Sequence, residues 1–246
     1  MKTKNRIWFC SFTIIGLILI FTYNCKKAED SYIKITDADG NVYTTVTIGT
    51  QVWMVENLKT TRYRNGDLIG TTSPATLDIS AEAAPKYQWA YEGNESNLNT
   101  YGRLYTWYAV TDARNVCPTG WHLPSDVEWT TLTDYLITNG HCYGGSGDDI
   151  AKSIASTSGW TADPKAGNVG NHQASNNSSG FTALPSGLRI FDGSYLWIGL
   201  GGYWWSSTEY SATNVYNRFM VCNGSNVGCY DIPKHYGFSV RCLQDD

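Results

Sequence analysis

The sequence predicts a single α+β domain, built from short antiparallel strands with two or three helices and preceded by an N-terminal signal. Short apolar runs separated by Gly, Asn and Asp turns occupy residues 32–58 and return in residues 181–242, which indicates strands. One sharply bounded helix pattern lies between them, at residues 125–138. Since no Pro/Gly/Ser linker separates two different patterns within residues 32–246, we expect one domain rather than two.

The first 24 residues are predicted to be a signal peptide. Lys2, Lys4 and Arg6 precede the uncharged residues 8–21, a stretch shorter than the roughly 20 apolar residues of a membrane-spanning helix. Cys25 follows closely, and its position resembles that of the lipid-modified Cys in bacterial lipoprotein signals. That resemblance implies cleavage before Cys25 and its acylation, with palmitate among the lipids. An uncleaved anchor helix and plain secretion are the alternatives.

Residues 25–31 are predicted to be a tether, and residues 32–246 the domain that it carries. The run Lys-Lys-Ala-Glu-Asp after Cys25 resembles the short charged tether of lipoproteins that reach the outer face of some bacteria. We therefore expect a protein of the bacterial cell envelope, held by a lipid anchor in the outer membrane and exposed at the cell surface.

Charge and aromatic content exclude two classes of protein. Charged residues make up 16% of the chain, below the roughly 25% of an average domain, and 10 Trp, 17 Tyr and 7 Phe take part of their place. An aromatic-rich chain of low charge is not intrinsically disordered. The formal charge of −4 becomes −7 when the three basic residues of the signal are removed, and such an acidic chain is not expected to bind nucleic acids.

Local patterns predict the individual elements. The Asp39-Gly40 step between apolar runs is a hairpin signal, and Ser125 with Glu128 forms a capping box at the start of the main helix. Weaker helical spacing occurs in residues 101–110 and 148–155. Further strands are expected at residues 188–191, 196–200, 203–206, 215–221 and 237–242.

Five cysteines remain if Cys10 leaves with the signal and Cys25 is acylated, so they cannot all pair. They are Cys117, Cys142, Cys222, Cys229 and Cys242. No C-x-x-C spacing indicates a zinc ribbon or a thioredoxin-type site. A short loop could be closed between Cys222 and Cys229, and a bridge from Cys117 to Cys242 would contribute about 4–5 kcal/mol in the chain-entropy model. Spacing alone leaves the connectivity open.

Several sequence blocks follow one another in a recognisable order. The most specific is Cys117–Trp129, where a Pro-Thr-Gly turn leads through Trp121 to the helix cap. The others are Asp39–Tyr43, Ile48–Leu58, Tyr101–Trp107, Gly202–Ser207 and Gly237–Cys242. Together they resemble the Fibrobacter succinogenes major paralogous domain. The resemblance implies an exported, often lipid-anchored protein of Bacteroidetes-type bacteria, and it implies no particular biochemical activity.

Two of these blocks, Leu123–Trp129 and Gly237–Cys242, are also similar to segments of the formylglycine-generating enzyme superfamily. This second resemblance implies a C-type-lectin-like fold. The resemblance also implies a disulfide between Cys117 and Cys242. A second disulfide is expected between Cys222 and Cys229, which leaves Cys142 free. A bridge from Cys142 to Cys222 or Cys229 is the competing choice.

An enzymatic role is not expected. Formylglycine-generating enzymes bind copper through two close cysteines that lie well upstream of the final Gly-Phe block. Here Cys222 and Cys229 lie near that block with six residues between them, so the catalytic role is not assigned to them. We expect no catalytic residue, no metal and no cofactor. An oxidase of the formylglycine-generating type is kept as an alternative.

Aromatic side chains are the remaining candidates for ligand binding, because Trp and Tyr rings stack on sugars through an apolar face. The densest group is Tyr195, Trp197, Tyr203, Trp204 and Trp205. Neighbouring residues of a strand point to opposite faces, so Trp204 and Trp205 cannot share one core layer. We therefore expect a non-catalytic binding or scaffold domain whose ligand is a glycan or another surface protein. A structural subunit that assembles with paralogues is a further alternative.

Overall fold

Short strands dominate residues 35–246, the part of the chain that the computed structural model describes. The predicted signal, the predicted acylation site Cys25 and the predicted tether lie outside these residues. The mixture of many strands with few helices is compatible with the predicted α+β class. Within residues 35–246, no helix reaches the length and apolarity needed to cross a bilayer.

The strands of residues 35–246 belong to four sheets. In chain order they are β1 (Ile35–Thr36), β2 (Val42–Tyr43), β3 (Thr45–Ile48), β4 (Gln51–Met54), β5 (Gln88–Trp89), β6 (Leu104–Tyr105), β7 (Trp121–His122), β8 (Ser186–Arg189), β9 (Tyr195–Ile198), β10 (Gly201–Glu209), β11 (Asn214–Val221), β12 (Gly228–Pro233) and β13 (Leu243–Gln244). The largest sheet has the order β12-β11-β10-β8-β9, and its β10–β8 pair is parallel. A second sheet has the order β3-β4-β13-β7, and β1–β2 and β5–β6 form two-stranded sheets.

The helical segments of the described residues are α1 (Leu98–Tyr101), α2 (Trp107–Val110), α3 (Asp126–Thr138) and α4 (Ala151–Ile154). Helix α3 confirms the capping box, because the Ser125 side chain accepts from the N–H of Glu128 and the Glu128 carboxylate accepts from the N–H of Ser125. The helix predicted over residues 101–110 is wrong in its first half. Residues 104–105 pair with β5 instead, and this non-local pairing overrides the local spacing.

The last predicted strand, residues 237–242, also differs from the structure. Gly237, Phe238 and Ser239 make single bridges to Arg189, Tyr105 and Trp204, and regular pairing starts only at β13. The segment is thus shared between neighbouring elements instead of following one partner strand. The strand β12 was not predicted.

The two faces of the five-stranded sheet carry two separate cores. Trp205 lies in one core with Tyr105 and Phe238, and Trp204 lies in the other with Trp129 of α3. The alternation of the pleat therefore places the two neighbouring Trp side chains on opposite faces, as predicted. Both are fully enclosed, because each face of this part of the sheet is covered.

The predicted Cys117–Cys242 disulfide is present, with a Cα–Cα distance of 6.0 Å. It joins the corner before α3 to the end of the chain, next to β13. The neighbouring Arg241 is buried and donates to the carbonyl oxygens of Met54, Phe181 and Thr182. Burial lowers its pKa to about 9. Its hydrogen bonds hold the last segment of the chain against β4 and residues 181–182.

Candidate functional site

Four aromatic rings form a continuous row across one face of the five-stranded sheet. Tyr230 of β12 stacks on Phe219 of β11 with 5.0 Å between ring centroids and 13° between ring planes. Phe219 stacks on Tyr203 of β10 at 6.1 Å and 11°, and Tyr203 on Trp197 of β9 at 5.7 Å and 30°. We call these four residues the aromatic row. Its rings lie close to parallel and overlap, so they largely cover one another's faces, and the row exposes ring surface mainly at its two ends, Trp197 and Tyr230.

Strand register and two glycines allow the row to form. In the antiparallel ladder Tyr203 lies opposite Phe219, and Phe219 lies opposite Gly228. A Cβ atom at Gly228 would lie 2.2 Å from the Phe219 ring, and one at Gly201 would lie 2.8 Å from the Tyr203 ring. The missing side chains therefore leave the space that these two rings occupy.

Trp197 is held in an uncommon backbone conformation. Its φ angle is +66°, in the left-handed region that a bulky residue adopts at a cost of about 1–3 kcal/mol. Its carbonyl oxygen accepts the N–H of Leu200, which closes a tight turn after β9. The indole stays 48% exposed while it stacks on Tyr203. A costly conformation that leaves a large ring in solvent is typical of binding sites.

The row borders a groove of about 310 Å³, which we call the aromatic groove. Its lining consists of Leu188, Ile190, Trp197, Tyr203, Asn217, Phe219, Tyr230, Ile232, Tyr236 and Phe238. Among the described residues, no charged side chain contributes to this lining. Burial raises the pKa of Tyr203 to about 12, and burial also raises that of Tyr236. Both phenols therefore keep their protons, and the groove is electrically neutral at physiological pH.

Asn217 is the only amide side chain in the groove lining formed by the described residues. It lies on β11 on the same face as Phe219 and is only 3% exposed. Its Oδ1 atom is buried and has no hydrogen-bond partner within residues 35–246. A buried acceptor that lacks a donor costs about 1–3 kcal/mol. A ligand hydroxyl that donated to Oδ1 would remove this cost, so the groove offers one directed polar contact.

The five predicted ligand-binding residues fall into three places. Trp197 and Tyr203 line the groove. Tyr195 packs against Tyr91 at 5.3 Å and its hydroxyl donates to the carbonyl of Ala75, so it lies apart from the groove lining. That Tyr195, Trp197 and Tyr203 bind a ligand stays a prediction.

The assignment of Trp204 and Trp205 as ligand contacts is wrong. Both indoles are buried, and each ring N–H is already bonded inside the protein. Trp204 donates to Asn57 Oδ1 at 2.9 Å, and Trp205 donates to the Tyr105 carbonyl at 2.6 Å. The groove lining also includes Asn217, Phe219, Tyr230 and Tyr236, which were not predicted from the sequence. The alternating runs Asn-x-Phe-x-Val and Gly-x-Tyr-x-Ile were the available signal for three of them.

The predicted Cys222–Cys229 disulfide is also wrong, because Cys142, Cys222 and Cys229 are free thiols in the described part of the chain. The hairpin register explains this. Cys229 of β12 lies opposite Arg218 of β11, and Cys222 follows Arg218 by four residues. The two cysteines are therefore about 13 Å apart along the hairpin. A disulfide needs Cα atoms within about 7 Å.

The thiols of Cys222 and Cys229 lie in different surroundings. Burial raises the pKa of both, so both are protonated at neutral pH. Cys229 lies 3.6 Å from Asp126 Oδ1, whereas Cys222 belongs to the core that contains Trp129. Over residues 35–246 no group of three or more His, Cys, Asp or Glu side chains could hold a metal ion.

His122 joins the end of the chain to the start of α3. Its Nδ1 lies 2.7 Å from Asp245 Oδ1 and its Nε2 lies 2.9 Å from Glu128 Oε1. Burial alone would lower the pKa of His122, but hydrogen bonds to the two carboxylates outweigh burial and raise it. Glu128 is also held by Ser125 as part of the helix cap. The cluster therefore stabilises this corner.

Comparison with known proteins gives one result. The model of the Fibrobacter succinogenes major domain matches residues 46–244. No curated protein and no solved structure matches the chain, so the C-type-lectin-like fold stays a prediction. The match covers most of the chain and includes all strands of the aromatic row. The chain therefore belongs to the Fibrobacter succinogenes major domain family.

Proposed function

We propose that this protein is a lipid-anchored, non-catalytic binding protein of the bacterial cell surface, and that its aromatic groove binds a neutral glycan. The proposal rests on an aromatic row that is exposed at both ends and on one unpartnered buried acceptor in the groove beside it. The family match supports a surface-associated domain. The anchor rests on Cys25 and the signal pattern in front of it.

A sugar fits both features of the groove. One face of a sugar ring consists of C–H groups that stack on aromatic rings, and the hydroxyls around its edge act as hydrogen-bond donors. Trp197 is 48% exposed and Tyr230 is 67% exposed, so ring surface is available to a ligand at both ends of the row. A hydroxyl directed at Asn217 Oδ1 would supply the missing donor. A neutral lining favours an uncharged glycan over an acidic one.

Size distinguishes a glycan from a protein partner. A stable protein interface buries about 800 Å² on each partner. Small-ligand sites instead enclose about 300–1,000 Å³ and are mostly apolar with a few directed polar groups. The aromatic groove, at about 310 Å³ with Asn217 in its wall, belongs to the second class. We therefore favour a glycan over another surface protein as the ligand.

An oxidase of the formylglycine-generating type is the weaker candidate. That chemistry needs two close thiolates for copper. Cys222 and Cys229 are protonated and separated along the hairpin by about 13 Å. Neither thiol contributes to the lining of the aromatic groove.

A glycan array tests the proposal. Wild-type protein, Trp197→Ala and Tyr210→Ala are compared on neutral and acidic oligosaccharides; Tyr210 is an exposed aromatic residue outside the groove and provides the matched control. Loss of roughly 60 Å² of stacked ring surface at 25 cal/mol per Å² corresponds to about 1.5 kcal/mol, or about tenfold in affinity. We expect neutral glycans to bind, Trp197→Ala to weaken them about tenfold, and Tyr210→Ala to leave them unchanged. Absence of glycan binding, or equal binding by Trp197→Ala, would refute the proposal.

A further inference from the structure

A second depression adjoins the aromatic groove. It encloses about 270 Å³ and is lined by Trp197, Leu200, Tyr203, Val221, Cys222 and Asn223. Trp197 and Tyr203 line both depressions, so these two stacked rings form a shared wall. We call the second depression the adjoining groove.

The two grooves follow one another along β11. Asn217, Phe219 and Val221 alternate along one face of this strand, with Asn217 in the aromatic groove and Val221 in the adjoining groove. Four strand residues span about 13 Å. A single sugar ring is shorter than this distance, so one ring cannot contact both Asn217 and Val221.

Both grooves have solvent-exposed residues in their lining. Tyr230 at the outer end of the aromatic groove is exposed. At the far end of the adjoining groove, Leu200 is 41% exposed and Asn223 is exposed as well. Leu200 offers a further apolar contact, and the amide of Asn223 offers both a donor and an acceptor.

We propose, building on the proposed function, that the ligand is a chain of at least two sugar rings. One ring lies in the aromatic groove and donates a hydroxyl to Asn217 Oδ1. The next ring lies in the adjoining groove against Leu200. Trp197, on the shared wall, contacts both rings. The site therefore selects neutral oligosaccharides and polysaccharides over free monosaccharides.

Isothermal titration calorimetry of the full protein with neutral oligosaccharide series tests this inference. The probes are the gluco-, manno- and xylo-oligosaccharides from the monosaccharide to the hexasaccharide. In the series that binds, the dissociation constant should fall about tenfold from the monosaccharide to the di- or trisaccharide and then level off. This gain follows from a second apolar contact of about 1.4 kcal/mol.

Leu200→Ala and Leu77→Ala are the paired variants, because both side chains are similarly exposed, at 41% and 44%, and Leu77 lies outside both grooves. Leu200→Ala should reduce the gain in affinity from the monosaccharide to the di- or trisaccharide, whereas Leu77→Ala should leave that gain unchanged. Equal affinity for mono- and trisaccharide, together with a silent Leu200→Ala, would overturn the chain-length inference while the glycan function stands. If no sugar of any length binds, the proposed function itself is refuted, and this inference with it.

Discussion

Replacing Asn217 by Leu should make the unliganded protein more stable and abolish ligand binding. Asn217 Oδ1 is buried and lacks a donor within the described residues, and the substitution removes this unsatisfied acceptor. The backbone pairing of residue 217 with Trp205 and Tyr230 does not depend on its side chain. The adjacent groove has room for the larger Leu side chain.

The magnitude follows from the cost of the unpaired acceptor. Such a group costs about 1–3 kcal/mol, and the gain from Asn217→Leu should fall in this range. For a domain of about 200 residues, each kcal/mol changes the melting temperature by roughly 2–4 °C. A gain near the middle of the range would thus raise the melting temperature by about 4–8 °C.

Thermal and urea unfolding of wild type, Asn217→Leu and Asn176→Leu provide the assay. Asn176 is also buried, but its Oδ1 accepts from Lys152 Nζ at 2.7 Å and its Nδ2 donates to the carbonyls of Ser156 and Val169. The same substitution there should destabilise by about 2 kcal/mol or more, because it leaves polar groups unpaired. If Asn217→Leu destabilised the protein as Asn176→Leu does, the idea of a site prepared for a ligand donor would be refuted.

Three further predictions concern the rest of the domain. Removing the Cys117–Cys242 disulfide by two Ala substitutions should lower the free energy of unfolding by about 4–5 kcal/mol, and unchanged urea midpoints would contradict this. Because the pKa of His122 is raised in the folded protein, its ion pairs stabilise the fold below about pH 6.5 and are lost as the pH rises through the folded-state pKa. His122→Gln should therefore lower the urea midpoint in mildly acidic buffer but not in alkaline buffer. The opposite pattern would disprove the assignment of these ion pairs. Native alkylation followed by peptide mass spectrometry should modify the exposed Cys229 and spare the buried Cys142 and Cys222; a Cys222–Cys229 disulfide in the same spectra would contradict the structure.

Local rules predicted the elements that depend on local interactions. The cap of α3 needs only Ser125 and Glu128, three residues apart, and both the capping box and the helix end were predicted correctly. The hairpin at Asp39-Gly40 was likewise confirmed. The pairing of residues 104–105 with β5 is decided by a partner strand about fifteen residues away, so helical spacing in that segment was misleading.

The Trp204–Trp205 pair shows what periodicity can and cannot tell. The alternation of a strand requires opposite directions for these side chains, and this was predicted. Whether each direction leads to solvent or to protein depends on what covers the sheet. Helix α3 with Trp129 covers one face, and Phe238 packs on Trp205 at 4.4 Å on the other. Both indoles are therefore buried and cannot contact a ligand.

Only part of the candidate site was visible in the sequence. Trp197 and Tyr203 were found because aromatic residues are dense there, whereas Phe219 and Tyr230 join them only through the register of β10, β11 and β12. Strand β12 contains Gly, Asp and Pro, which are uncommon in strands, and it was not predicted. The aromatic excess of the composition is mostly core. Among the exposed aromatic residues of the described part of the chain, Trp197 and Tyr230 belong to the row, whereas Tyr135, Tyr143 and Tyr210 do not.

The most direct test of glycan binding in the aromatic groove is a crystal structure of the protein with the tightest-binding glycan from the array. We expect a sugar ring stacked on Trp197 and a sugar hydroxyl within hydrogen-bond distance of Asn217 Oδ1. A glycan bound elsewhere on the domain, with Asn217 Oδ1 still unpartnered and the aromatic groove unoccupied, would contradict it.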